Sequence, residues 1–191
     1  MLRSISDHVM DIAQNSVKAG AENVELIIDE SEDTFKFVVK DDGNGMTEEE
    51  LSEVFDPFYT TRDHRIRKVG LGLPFLKQIT ELTGGYTKIE SEKGKGTRVE
   101  AVFNLKSVDC PPVGDLVGTL TSLITGCDNV RWIIRRLKNG EEIYNLDSKV
   151  LRDKYGDLLS SPSFIKVLED SLRELESLGE IGDEDQGQES P

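Results

Sequence analysis

Three glycine pairs constrain this chain more than any other feature: Asp41-x-Gly43-x-Gly45, Gly70-x-Gly72 and Gly94-x-Gly96-Thr97. A single pair carries little information, because any tight turn uses glycine. Three pairs at successive junctions between regular segments are a different matter. Glycine lets a backbone come close to a ligand where a Cβ would collide. The second pair also opens a helical pattern, whose first-turn N–H groups favour phosphate. Together the pairs predict a nucleotide site built of loops. Two commoner nucleotide motifs are absent, since there is neither a Walker loop nor a Gly-x-Gly-x-x-Gly fingerprint.

The segments around these pairs read clearly. Ile5, Val9, Ile12 and Ser16 share one stripe of a helix over residues 4–19, stopped by Gly20. Val24, Leu26 and Ile28, then Phe35, Phe37 and Val39, alternate with polar residues and predict two strands. Thr47 and Glu50 have the spacing of a capping box for a short helix over 48–54. Pro74 suits the first turn of a helix that runs to about Leu82. Strands over 86–91 and 97–105 follow, joined by the glycine-rich turn at 93–96. Helices and mostly antiparallel strands in this order predict an α+β fold, a two-layer α/β sandwich.

Pro111-Pro112 marks a boundary. The reading is therefore a first domain over 1–106, an α-β-β-α extension over 107–180 and an acidic, disordered tail over 181–191. Within the extension, a helix over 115–125 precedes a hairpin through Asn139-Gly140. An amphipathic helix over 162–178 follows, capped by Ser161 and stopped by Gly179. The hairpin, with Trp132, Ile134 and Tyr144, either extends the sheet or makes a partner surface.

Charge narrows the function classes. The 191 residues carry 37 acidic against 23 basic side chains, a net charge of −14. That balance argues against nucleic acid and against an anionic membrane surface as partners. No apolar run approaches the ~20 residues of a membrane span, and no signal peptide follows Met1, so the expected location is the cytoplasm. Cys110 and Cys127, with His8 and His64, are too few for a zinc or iron–sulfur site.

Against this acidic background Arg62, Arg65, Arg67 and Lys68 cluster directly ahead of the second glycine pair. Either they form a solvated basic loop or they act as a lid that neutralises a triphosphate. On the first helix, Asp11 and Asn15 stand one turn apart and share a face away from the apolar stripe. An Asn carbonyl is a hard oxygen donor of the kind magnesium takes alongside phosphate and water. An Asp one turn earlier is a candidate base or water-orienting group.

Read as a series, the motifs resemble those of the GHKL ATPases, the family of histidine kinases, MutL and gyrase B. Asp11-Ile-Ala-Gln-Asn15-Ser-Val-Lys-Ala-Gly-Ala21 resembles the N box, with a MutL-like ending. Asp41-Asp-Gly-Asn-Gly-Met46 and Val69-Gly-Leu-Gly-Leu73 resemble two glycine boxes, and Gly94-Lys-Gly-Thr97 the last one. Phe55-Asp-Pro-Phe-Tyr-Thr-Thr-Arg62 resembles the F box of histidine kinases.

The resemblance implies the Bergerat fold, with ATP and Mg as cofactors. It implies Mg on Asn15 and the adenine amino group on Asp41. Gly45 and Thr97 would line the base pocket, and Gly70 and Gly72 would offer backbone to the phosphates, with Arg62 and Lys68 above them. Gly43, Met46, Phe55, Thr61, Leu71 and Leu73 complete the implied contact set.

Few residues precede the N box, so the phosphoacceptor hairpin of histidine kinases is expected to be missing. His8 lacks the sequence surroundings of a phosphoacceptor, and a surface or second-shell role is the better reading. The MutL and gyrase branch has Glu where this chain has Asp11, one methylene shorter, which predicts slow turnover. Two functions follow. One is a regulatory kinase subunit or slow ATPase acting on a separate protein, as anti-sigma-factor kinases do. The other is a non-catalytic, ATP-gated interaction module. Expected partners are ATP or ADP and a protein, with a homodimer possible.

Overall fold

A computed structural model describes residues 3–56, 71–126 and 128–181. The basic cluster, the F-box residues from Pro57 onward, Cys127 and the acidic tail after Ile181 lie outside the described residues.

Helix α1 spans Ile5–Lys18. The Ser4 hydroxyl accepts the Asp7 N–H at 3.2 Å while the Asp7 carboxylate accepts the Ser4 N–H at 3.0 Å, a reciprocal cap. Two further first-turn donors, the N–H groups of Ile5 and Ser6, reach the carbonyls of Pro112 and Val113 at 2.9 Å each. A helix leaves its first N–H groups without internal partners. Here the segment after the Pro-Pro boundary supplies them, so the later part of the chain is fastened to the start of α1.

Strands β1 (Asn23–Glu30) and β2 (Thr34–Asp41) form an antiparallel pair. Helices α2 (Glu48–Glu53) and α3 (Gly72–Leu82) come next, then strands β3 (Tyr86–Glu92) and β4 (Gly96–Asn104). Beyond the boundary lie α4 (Leu116–Gly126), β5 (Arg131–Lys138), β6 (Glu141–Asp147), α5 (Ser148–Tyr155) and α6 (Pro162–Ile181). The strands form a single six-stranded sheet in the order β3-β4-β2-β1-β5-β6. Among the described residues only the β1–β5 contact is parallel, with Asn23 opposite Arg131. The hairpin thus extends the sheet, which resolves the alternative left open by the sequence.

One face of the sheet is mostly apolar. Leu26, Ile28, Phe35, Phe37, Phe103, Trp132 and Ile134 are all buried, against α1, α3, α4 and α6. The other face carries charge pairs, most of them across strands. Glu100 accepts from the Tyr86 hydroxyl at 2.7 Å and from Arg98 at 2.5 Å, with Lys36 at 3.3 Å. Arg131 pairs with Asp147 at 2.6 Å and Arg135 with Glu142 at 2.7 Å. Alternation of period two therefore puts the helices on one side and water on the other.

Two details depart from the sequence reading. Helix α5 was not expected, and it starts where β6 ends, at Asp147, whose carboxylate accepts the Lys149 N–H at 2.9 Å. No glycine or proline separates strand from helix there, so the junction lacks a signal. Helix α6 runs through Gly179 to Ile181 instead of stopping. Arg136, buried among apolar neighbours, anchors it by bonding Glu176 at 2.9 Å and also pairing with Glu30. The Tyr144 hydroxyl donates to the same Glu176 at 2.7 Å.

Among the described residues no helix is long and apolar enough to cross a membrane.

Candidate nucleotide site

The C-terminal halves of α1 and β2 converge on one cavity. Ile12, Asn15, Ser16 and Ala19 line it from α1; Asp41, Asn44, Gly45 and Met46 from the end of β2 and its loop. Leu73 of α3 and Thr97 and Val99 of β4 close it. Asn15, Asp41, Gly45, Met46, Leu73 and Thr97, chosen from the sequence, are therefore brought together.

Asp41 and Asp42 are neighbours with different work. Asp42 points back to β1, where its carboxylate accepts the N–H groups of Glu22 and Asn23 at 2.8 and 2.9 Å and the Asn23 side chain at 2.7 Å. Burial opposes its ionised form, but these donors outweigh burial and hold its pKa below the ordinary carboxylate value. Asp42 is a structural staple. Asp41 faces the cavity instead. Its Oδ1 accepts the N–H groups of Gly43 at 2.9 Å and Thr97 at 3.2 Å, and its Oδ2 accepts the Ser16 hydroxyl at 2.7 Å.

The glycines of the first and third pairs let two loops touch. Gly45 has φ +59°, and a Cβ on it would lie 2.0 Å from the Glu92 carbonyl oxygen. Gly96 has φ +104°, and a Cβ on it would lie 1.9 Å from the Asp41 carbonyl oxygen. The β2–α2 loop and the β3–β4 turn are thereby pressed together around Asp41, and Gly94 N–H to the Asn44 carbonyl at 2.8 Å ties them. Met46 is held likewise, its N–H donating to Ser91 Oγ at 2.9 Å.

The other predicted residues that the structure describes are placed as follows. Gly43 supports Asp41 from beneath and does not line the cavity. Asp11 stands against the start of α3, where a Cβ on Gly72 would lie 1.7 Å from its Oδ2. Leu71 precedes that helix and is 47% exposed. Phe55 is half-buried, with the Lys77 ammonium 4.7 Å above its ring. Thr61, Arg62, Lys68 and Gly70 lie outside the described residues.

His8 is buried rather than at the surface, beside Phe103, and burial pushes its pKa down against the charges of Asp11 and Asp7. Cys110 is a free, half-buried thiol whose pKa burial raises.

Sequence reasoning put Ser16 on the apolar stripe and missed its bond to Asp41. The signal was present: a hydroxyl on a core-facing stripe needs a buried partner.

The family model for histidine kinase-, DNA gyrase B-, and HSP90-like ATPases matches residues 3–107, more than half of the 191-residue chain. The chain belongs to this family. Sporulation kinase C of Bacillus subtilis (strain 168) is 46% identical over 69 residues, which is 36% of this chain and 15% of that protein. Sensor protein SrrB of Staphylococcus aureus (strain NCTC 8325 / PS 47) is 39% identical over 93 residues, 47% of this chain and 16% of that one. The matched region is thus a small part of these GHKL relatives. The crystal structure of the N-terminal domain of a DNA repair protein superposes with a TM-score of 0.52 at 15% identity, over 76% of this chain and 52% of the other. At that identity the likeness is one of fold.

Proposed function

We propose that this GHKL domain binds ATP with Mg and works as a regulatory protein, a kinase subunit or slow ATPase acting on a separate protein partner. One observation carries the nucleotide reading. A carboxylate offers about four acceptor positions, and three of those on Asp41 are taken by Gly43, Thr97 and Ser16. The position left among the described residues is on Oδ2, in a cavity lined largely by apolar side chains. A flat base with one amino donor fits that arrangement.

The donor chemistry also suits Mg. Asn15 lines the cavity and supplies a hard carbonyl oxygen, and a nucleotide's phosphates would supply others. Asp11, against the first turn of α3, would orient the attacking water or hydroxyl and accept its proton. The α3 N–H groups would face the phosphates.

Mg-ATP is expected to raise the melting temperature, by RT ln(1 + [L]/Kd) in stability, and Asp41→Asn to remove the rise. No rise in the native chain would sink the reading. Labelled ATP offered with lysate fractions then separates the outputs. A labelled partner protein supports a kinase, and phosphate release lost in Asp11→Asn supports an ATPase.

A second reading, an ATP-gated interaction module, draws on the contact between the two parts of the chain. The first turn of α1 is bonded to Pro112 and Val113, and α4 packs along α1. A change at Asn15 would be passed to the C-terminal region through that helix.

A further inference from the structure

We infer that a groove between α1 and α4 binds a small carboxylate with an apolar body, at a site separate from the nucleotide cavity. Met10, Val17 and Lys18 of α1 line one wall, Leu123 and Gly126 of α4 the other, and Trp132 of β5 the floor. The groove and the nucleotide cavity share no described lining residue. At 3.6 residues per turn, Met10 and Val17 fall on one flank of α1 and Asp11 and Asn15 on the other. The groove holds about 410 Å³, within the ~300–1,000 Å³ of small-molecule sites.

Three features select the ligand. The depth is apolar, since Met10 and Val17 are half-buried and Leu123 and Trp132 buried. The Trp132 indole N–H is buried with no acceptor among the described residues. A buried donor left in that state bears its whole desolvation cost, and a ligand oxygen reaching the floor relieves it. At the mouth stands Lys18, exposed and in no ion pair among the described residues. A carboxylate answers both groups, accepting from the indole and facing the ammonium. An amine would set donor against donor and cation against cation.

Trp132 is the single tryptophan of the chain, so its emission and its indole N–H resonance report on this groove directly. The nucleotide-free chain is titrated with phenylacetate, phenylacetamide and phenethylamine, which share a ring and differ in the polar group. Phenylacetate at millimolar concentration is expected to change the emission saturably and to move the indole N–H signal downfield. Phenylacetamide, which keeps the acceptor without the charge, should bind several-fold more weakly. Phenethylamine should be weaker than phenylacetate by about tenfold or more, as loss of a charge-assisted hydrogen bond implies. Lys18→Gln should reduce phenylacetate to the level of the amide and leave the amide unchanged. Gly126→Leu should abolish binding of all three by covering the mouth. A Cβ on Gly126 meets nothing within 4 Å, so the fold tolerates the change.

No saturable response to phenylacetate in the native chain overturns the inference, as does equal affinity for the three compounds. A response that survives Gly126→Leu places the compounds elsewhere and overturns it too. So does an emission change with the indole N–H signal unmoved, because the floor donor is then not engaged. If Gly126→Leu does not fold, the loss of preference in Lys18→Gln decides the matter. ATP plays no part in these titrations, so their failure leaves the nucleotide reading untouched.

Discussion

The Asp11 carboxylate lies so close to Gly72 that a methyl group on that glycine would overlap its Oδ2, at 1.7 Å. A helix start carries partial positive charge, which favours a carboxylate there. The contact brings the N-box helix and the helix opened by the second glycine pair together without a side chain between them. Gly72→Ala must push Asp11 aside, and the displaced atom is the free end of a flexible side chain. The fold should therefore survive, with a melting temperature within about 4 °C of native, while ATP affinity falls several-fold. Unchanged affinity in a titration would detach this contact from the site.

Asn15→Ala separates metal from base. The stabilisation given by ADP in EDTA should persist, because Asp41 and its neighbours are untouched. The extra stabilisation on adding Mg should vanish. Differential scanning fluorimetry with and without Mg reads both, and a Mg increment that survives would place the ion elsewhere.

Glu100 predicts an acid-side loss of stability. Burial opposes its ionised form, yet Tyr86, Arg98 and Lys36 hold its pKa down at about 2 from an ordinary 4.5. A group whose folded pKa is depressed stabilises fully above the unfolded value and loses that contribution as pH falls towards the folded one. The loss should run from about pH 4.5 to about pH 2, amounting to at most about 3.4 kcal/mol. Urea unfolding of Glu100→Gln should show a shallower decline over that window, and an identical decline would remove Glu100 as its source.

Arg136 is the buried cation of the C-terminal region, and its own pKa is raised, with burial opposed by Glu176 and Glu30. Arg136→Leu strands both carboxylates and is expected to cost about 3–5 kcal/mol in urea unfolding. Adding Glu30→Gln and Glu176→Gln should return much of that loss. If the triple variant is no better than the single one, packing of the long side chain rather than charge holds α6.

Much of this was legible in the chain itself. The stripe Ile5, Val9, Ile12 is buried as its period demands. The Thr47–Glu50 capping box forms, with the Glu50 N–H 3.2 Å from Thr47 Oγ1. Local signals of this kind act over three or four residues and survive in any context. Helix α5 escaped notice because Asp147 is both the last residue of β6 and the cap of the helix. Of the two places read for His8, surface or second shell, burial removes the first, and the sequence could not show it because Phe103, almost a hundred residues on, stands beside His8 only in the fold.

The sequence by itself determined the glycine pairs, the order of strands and helices apart from α5, the Asp11–Asn15 face and, through the motifs, the ATPase family. Those are statements about spacing, and spacing is local. Tertiary structure decided what the residues touch. Only the closing of β4 against β2 brings Thr97 to Asp41, 56 positions away, and only the seating of α1 on the sheet brings Ser16 to it, 25 positions away. Only the parallel alignment of β5 with β1 makes the C-terminal hairpin part of the sheet. The Asp11 carboxylate and the Gly72 backbone meet for the same reason. Their closeness is set by how α1 and α3 pack on a shared core, which no motif in either helix encodes.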